Sequence, residues 1–223
     1  MMSRTSLSIL LCCALSLIGL SGCTNKMNSV NDTVVALYGN YQDVELSQKE
    51  ISELPYPSAY VRLNDGRQIF MVLAFADTNP ETGGTRLSWI SSDNALIITE
   101  QGRIIKTVAL DGDNLVSISS DHVVSPVHTL QAWQGQYHWM PDYRFSFGVT
   151  VAASYVGDEH IESSQWQLNT KHYQERVTLT ALDKSFVNQY WVASDKQVVK
   201  TIQYIGLNMT KIEMTFLKTY AAN

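Results

Sequence analysis

The residues whose type and spacing most directly specify chemistry are Leu20-Ser21-Gly22-Cys23. They close the most apolar run of the chain, which extends from Leu7 to Leu20 behind a single basic residue, Arg4, and turns polar at Thr24-Asn25-Lys26. A basic start, a short apolar core and small residues at its end have the form of a secretory signal peptide. A run of about 14 residues is short of the roughly 20 that a transmembrane helix needs. A cysteine directly after Leu-Ser-Gly also matches the bacterial lipobox. In that pattern the thiol takes a diacylglycerol, a peptidase cuts before the cysteine, and the new amine receives an acyl chain such as palmitate. An ordinary signal peptide with an incidental cysteine is the plainer reading, but the motif falls in register with the signal. Thr24 rather than Asp after the cysteine directs such a protein to the outer membrane, on its periplasmic side.

Other candidates for chemistry are sparse. The chain has no Gly-x-Ser-x-Gly elbow and no Gly-x-x-x-x-Gly-Lys phosphate loop. His122, His128, His138, His160 and His172 are too widely spaced for a helix-borne ligand pair, so no metal site is expected. Asp111-Gly112-Asp113-Asn114 has half the ligands of a calcium loop and reads better as a turn. Asp158, Glu159 and Glu162 lie in one polar stretch with nothing to place a second carboxylate opposite, as glycoside hydrolysis requires. No catalytic residue and no cofactor are expected. Aromatic residues remain. Trp89 and Trp191 alternate with polar neighbours and read as core. Trp133, Tyr137 and Trp139, close to Gly135 and Pro141, form a candidate contact surface that competes evenly with a reading as core.

Cleavage before Cys23 divides the chain into a signal peptide (1–22), a lipidated tether (23–31) and one β-rich periplasmic domain (32–223). The mature chain carries 15 basic residues against 21 acidic ones, a net charge of −6. That balance steers neither nucleic acid nor polyanions towards it. Cys12 and Cys13 leave with the signal, so Cys23 is the last thiol. The domain then has no disulfide and must be held by packing.

Two short helices are expected first. Asp32 to Tyr41 has near-helical apolar spacing, and Ser47-Gln48-Lys49-Glu50 is a capping box stopped at Pro55. From Ala59 the pattern changes to short alternating strands separated by turns: 59–63, 67–76, 87–91, 95–100, 103–110, 115–118, 130–139, 143–155, 161–168, 172–182, 186–193, 197–205 and 209–217. The fold class is therefore mainly β. A large antiparallel, strongly bent meander sheet or partial barrel of about a dozen strands is expected, because so many strands do not stay flat. The short N-terminal helices are expected to pack on it, plugging or covering an open side.

Three stretches carry a resemblance: PYPSAYVRLNDGRQIFMVLAF from Pro55, LSWISSDNALIITEQGRIIKTVAL from Leu87 and FVNQYWVASDKQVVKTIQYI from Phe186. In order, and together with the lipobox, they resemble the GfcB/YjbF family of group 4 capsule polysaccharide lipoproteins. The chain departs from that pattern at Ala109, where the family usually has Gly, and at Asn208-Met209, where prolines would be expected. The resemblance implies an outer-membrane lipoprotein with a mainly β fold and no enzymatic activity. It would act among the outer-membrane and periplasmic proteins of a polysaccharide secretion system, with polysaccharide itself as a further candidate partner. A carrier of lipid, acyl chains or lipoproteins in an apolar half-barrel cavity is the alternative.

Overall fold

The computed structural model describes residues 43–140 and 144–221; the lipobox, the tether, the expected helix from Asp32 to Tyr41 and the Pro141-Asp142 turn lie outside them. The chain enters through helix α1 (Gln48–Glu53), whose start is fixed by the expected capping box. The Glu50 N–H donates to Ser47 Oγ, and Glu50 Oε2 accepts from the Ser47 N–H at 2.8 Å.

Twelve strands follow: β1 (Ser58–Leu63), β2 (Gln68–Thr78), β3 (Thr85–Ile90), β4 (Leu96–Glu100), β5 (Arg103–Val108), β6 (Asn114–Ser119), β7 (Trp133–Met140), β8 (Arg144–Glu162), β9 (Gln167–Leu179), β10 (Lys184–Val192), β11 (Val198–Ile205) and β12 (Thr210–Lys218). They form one antiparallel sheet in the order β5-β4-β3-β2-β1-β12-β11-β10-β9-β8-β7-β6. Consecutive strands are neighbours throughout except β5 and β6, and the first and last strands, β1 and β12, pair mid-sheet. The ends of the sheet, β5 and β6, are consecutive in the chain and come together as a seam, giving a nearly closed barrel. They share no backbone ladder. Side chains stitch one end instead: the Leu115 N–H donates to Thr107 Oγ1 at 2.9 Å, and the Leu110 N–H to Asn114 Oδ1 at 3.1 Å.

Period-2 alternation sends one set of side chains inward. Val61, Met71, Trp89, Ile97, Ile104, Leu115, Val177, Ile212 and Met214, drawn from strands all round the barrel, pack into one core. Trp89 lies against Phe216 with ring centroids 5.3 Å apart. The opposite face of β1, β2 and β12 is apolar as well. There Tyr60, Phe70, Val72 and Leu217 receive Leu46 and Ile51 from the α1 region. Burying a side chain such as Ile51 or Phe70 contributes about 1.5–3 kcal/mol.

The expected packing of a short N-terminal helix on the sheet holds for α1, but its apolar residues match the outward face of this wall rather than plugging or covering an open side. The segment between β6 and β7 enters the barrel mouth instead. Its one-turn 3-10 helix (Val127–Thr129) buries Val127 against Tyr173, Tyr190 and Val192. The expected strand at 161–168 is also corrected. It is the end of β8 and the start of β9, joined by a tight turn in which the Ser163 N–H donates to the Trp166 carbonyl at 2.8 Å. The two strands form an arm that extends by pairing with itself. Its tip is secured by Trp166 Nε1, which donates to the Phe216 carbonyl at 2.9 Å.

Candidate functional site

Among the described residues, an ion pair lies in the interior among apolar neighbours. Arg103 opens the edge strand β5, and Glu175 replaces an apolar residue on the inward row Tyr173, Glu175, Val177, Leu179 of β9. Their side chains are 6% and 2% exposed, and Arg103 Nη2 donates to Glu175 Oε1. The Tyr190 hydroxyl lies 2.9 Å from Glu175 Oε2 and 3.2 Å from Gln203 Oε1. Gln203 in turn accepts from the Ile104 N–H at 3.0 Å and donates to the Gly102 carbonyl at 2.8 Å. Arg103 also sits over the Trp133 ring, 5.7 Å from its centroid. Burial opposes the charge on Arg103, but the adjacent Glu175 outweighs it and holds the guanidinium charged. Burial, reinforced by Glu175, raises the phenols of Tyr190 and Tyr137 well above their ordinary range. Both therefore remain protonated, so Tyr190 serves as a hydrogen-bond donor rather than a base. The network ties the edge strand β5 to β9, β10 and β11 across the barrel. It also places an ion pair where an acyl chain would have to lie.

The mouth beside Val127 opens into a cavity of about 420 Å³, lined by Leu87, Trp89, Val198, Phe216 and Tyr220 among others. On the outer face, His172 stacks on Trp191 with centroids 4.6 Å apart and planes 4° from parallel. Trp191 Nε1 donates to Glu159 Oε2 at 2.8 Å, and Lys200 Nζ stands 5.4 Å from a Trp191 ring centroid. Trp191 is thus buried, as expected, but under the β8–β9 arm rather than in the central core; Trp89 is central.

The candidate contact residues Trp133, Tyr137 and Trp139 face inward. Tyr137 and Trp139 are 4% and 2% exposed, in edge-to-face contact at 5.7 Å, and Trp133 is half-buried against the same core. The contact-surface reading is corrected accordingly. Gly135 between them does not bend the strand outward. Its missing side chain admits the Ser119 carbonyl of β6, which would lie 2.3 Å from a Cβ. The acidic stretch is dispersed among local partners: Asp158 with Tyr155 and Lys171, Glu159 with Trp191, and Glu162 with His160. Asp113 is a turn residue, as its sequence context suggested. Its carboxylate accepts from the Asn208 N–H at 2.9 Å and occupies the space beside Gly206, whose φ of +71° favours glycine. Among the described residues no group of three or more His, Cys, Asp or Glu side chains is arranged to hold a metal ion. Leu20, Ser21, Gly22 and Cys23 lie outside the described residues. Sequence reasoning missed the Arg103–Glu175 pair. Its signal was a carboxylate breaking an otherwise inward-facing β9 row, but period-2 patterning does not say which distant strand supplies the partner.

This architecture and sequence have relatives. The family described as group 4 capsule polysaccharide lipoprotein GfcB, YjbF matches residues 31–217. The lipoprotein GfcB of Escherichia coli K12 is 32% identical over 207 residues, covering 89% of this chain and 93% of that protein. The lipoprotein YjbF of the same organism is 27% identical over 224 residues, covering 97% and 98%. The crystal structure of the E. coli hypothetical lipoprotein YmcC superposes with a TM-score of 0.74 at 27% identity, covering 91% of this chain and 100% of that one. A match that runs through all twelve strands leaves one assignment: the chain belongs to the GfcB/YjbF family of group 4 capsule polysaccharide lipoproteins.

Proposed function

We propose that this protein is an outer-membrane lipoprotein, anchored through Cys23, that acts as a non-enzymatic accessory factor in capsule or exopolysaccharide export or assembly. It would work through protein contacts at the periplasmic face. Membership of a capsule polysaccharide lipoprotein family across residues 31–217, with the lipobox in register upstream, is the observation that carries this reading. The charge pattern agrees with it: a mature chain at −6 favours docking on proteins over gripping acidic chains. So does the interior, where Trp89, Tyr137, Trp139 and the Arg103–Glu175 pair take the space that a lipid carrier would leave open. Three acyl chains on one cysteine make attachment effectively permanent, at about 0.8 kcal/mol per buried CH₂. The eight residues 24–31 then let the domain stand at most about 28 Å from the membrane.

Deleting the gene should lower exported polysaccharide, and re-expression should restore it. Unchanged export under capsule-inducing conditions would count against the proposal. The Cys23→Ser protein should be unprocessed or misplaced on membrane fractionation while keeping the β-rich spectrum of the native domain. Correct processing and outer-membrane recovery of that variant would sink the anchoring claim.

A further inference from the structure

The seam between β5 and β6 is stitched at one end and open at the other. The open end is a polar cavity of about 350 Å³ whose lining includes Arg86, Glu100, Arg103, Ser117, Ser119 and His122. That volume falls within the range of small-molecule sites, about 300–1,000 Å³. Register places three of these residues in a row across adjacent strands, because Arg86 pairs with Glu100 and Glu100 with Arg103. The row alternates cation, anion, cation.

Two buried donors in this row have no hydrogen-bond partner: Arg86 Nε and Arg103 Nε. Arg86 Nε stands 3.9 Å from Glu100 Oε2, beyond hydrogen-bond reach, and Arg103 turns its Nη2 to Glu175 instead. Leaving a buried donor unmade is costly. Glu100 holds the β2–β3 loop by accepting from Asn79 Nδ2 at 2.8 Å and from Thr82 Oγ1 at 2.5 Å. Each carboxylate oxygen accepts up to two hydrogen bonds, so both retain capacity. Ser119 Oγ is already paired with His138 Nε2 at 3.2 Å, so the site combines orphaned donors, a carboxylate with free acceptor positions and the Ser117 hydroxyl, which can do either.

That combination suits a ligand whose groups both accept and donate. A sugar hydroxyl accepts from a guanidinium N–H and donates to a carboxylate at once. A carboxylate ligand would meet Glu100 as a like charge. An inserted peptide strand is a poorer fit, although β5 and β6 are free edges. Their Cα atoms approach within 8 Å, whereas an intervening strand needs about 9.6 Å, twice the usual spacing. We infer that the open end of the β5–β6 seam is a binding site for a neutral, hydroxyl-rich sugar unit, recognised through Arg86, Glu100 and Arg103. The inference rests on the proposed polysaccharide role and adds to it a direct contact with the chain being exported.

Electrophoresis of the mature domain through native gels cast with polysaccharide purified from the strain that carries the gene tests this. The polysaccharide should retard the native protein several-fold relative to a polymer-free gel. The retardation should persist at about 0.5 M NaCl, because hydroxyl recognition is little screened. Ser119→Trp, which fills the cavity from an exposed position, and Arg86→Ala, which removes one orphaned donor, should each abolish it while circular dichroism stays native. No retardation, or retardation that both variants keep, would overturn the site. Loss of retardation in salt would overturn hydroxyl recognition and indicate an acidic group instead. Lowered export on gene deletion with no retardation refutes the seam site alone, whereas retardation with unchanged export refutes the export role alone.

Discussion

The wall formed by β1, β2 and β12 and the seam formed by β5 and β6 belong to one sheet but are held by different physics. The wall is buried on both faces: Val61, Met71 and Met214 point into the barrel, while Tyr60, Phe70 and Leu217 point out beneath α1. Its strands are laddered on both sides and read as near-continuous apolar runs. The seam has no ladder across it. It is joined by Thr107 and Asn114 at one end and anchored at the other by Arg103, which crosses to Glu175 on β9. Apolar area secures the wall without specifying partners. Polar groups secure the seam through particular atoms, and removing one of those atoms strands its partner.

The comparison makes its strongest prediction at Glu175. Glu175→Ala leaves Arg103 charged and buried with its carboxylate partner gone, and should cost about 3–5 kcal/mol in urea unfolding. The Arg103→Met/Glu175→Leu double variant should recover most of that loss, because the pair is expensive to break and not to replace. A double variant as unstable as Glu175→Ala would mean that the network is needed for more than mutual neutralisation. On the wall, Ile51→Ala should cost less, about 2 kcal/mol, because α1 is peripheral and can shift into the space left behind. Amide exchange should then accelerate in α1 and leave the β1–β12 pairing protected. Equal acceleration in both would show that the outer layer and the barrel unfold as one unit.

The same contrast explains what could be read from the sequence. Strand alternation, the Ser47–Glu50 capping box and the turn at Asp111-Gly112-Asp113-Asn114 are local signals, and the structure reproduces them. Where Leu46 and Ile51 would pack was not legible, since a short apolar helix suits either face of a bent sheet. The sequence leaves Trp133, Tyr137 and Trp139 evenly between core and contact surface, because they lie close to Pro141 and Gly135. Gly135 serves a close approach from Ser119, a residue sixteen positions earlier in the chain. The Arg103–Glu175 contact joins residues 72 positions apart and leaves no local trace beyond an interrupted apolar row.

At the stitched end of the seam the effects are smaller and opposite in sign. Asn114→Ala removes the acceptor for the Leu110 N–H and should cost about 1 kcal/mol. Faster exchange of the Leu110 and Leu115 amides, with the β1 amides unchanged, would place that loss at the seam. Ala109 adopts φ +56°, a left-handed conformation that costs an L-residue about 1–2 kcal/mol. Ala109→Gly relieves that strain against a greater loss of chain entropy, so it should stabilise the protein by about 0.5–1 kcal/mol. A lowered midpoint in urea would show that the alanine methyl group makes compensating contacts.

The smallest expected effect concerns the segment that leaves the seam and plugs the mouth. Burial lowers the His128 pKa from its ordinary value, and the nearby Lys196 lowers it further. The folded state therefore favours neutral His128, while the unfolded chain takes up its proton near pH 6.5. Below that pH the unfolded state binds more protons, so this contribution is present above about pH 6.5 and is lost as the pH falls through the folded value. His128 is partly exposed, so solvent screening keeps the loss small. An NMR titration of its imidazole should give a midpoint below 6.5, and Lys196→Met should move that midpoint upward. The stability of a His128→Gln variant should fall less between pH 7 and pH 5 than that of the native protein. A midpoint at or above 6.5 would mean that the plug is loose in solution and the mouth held by less than its buried contacts imply.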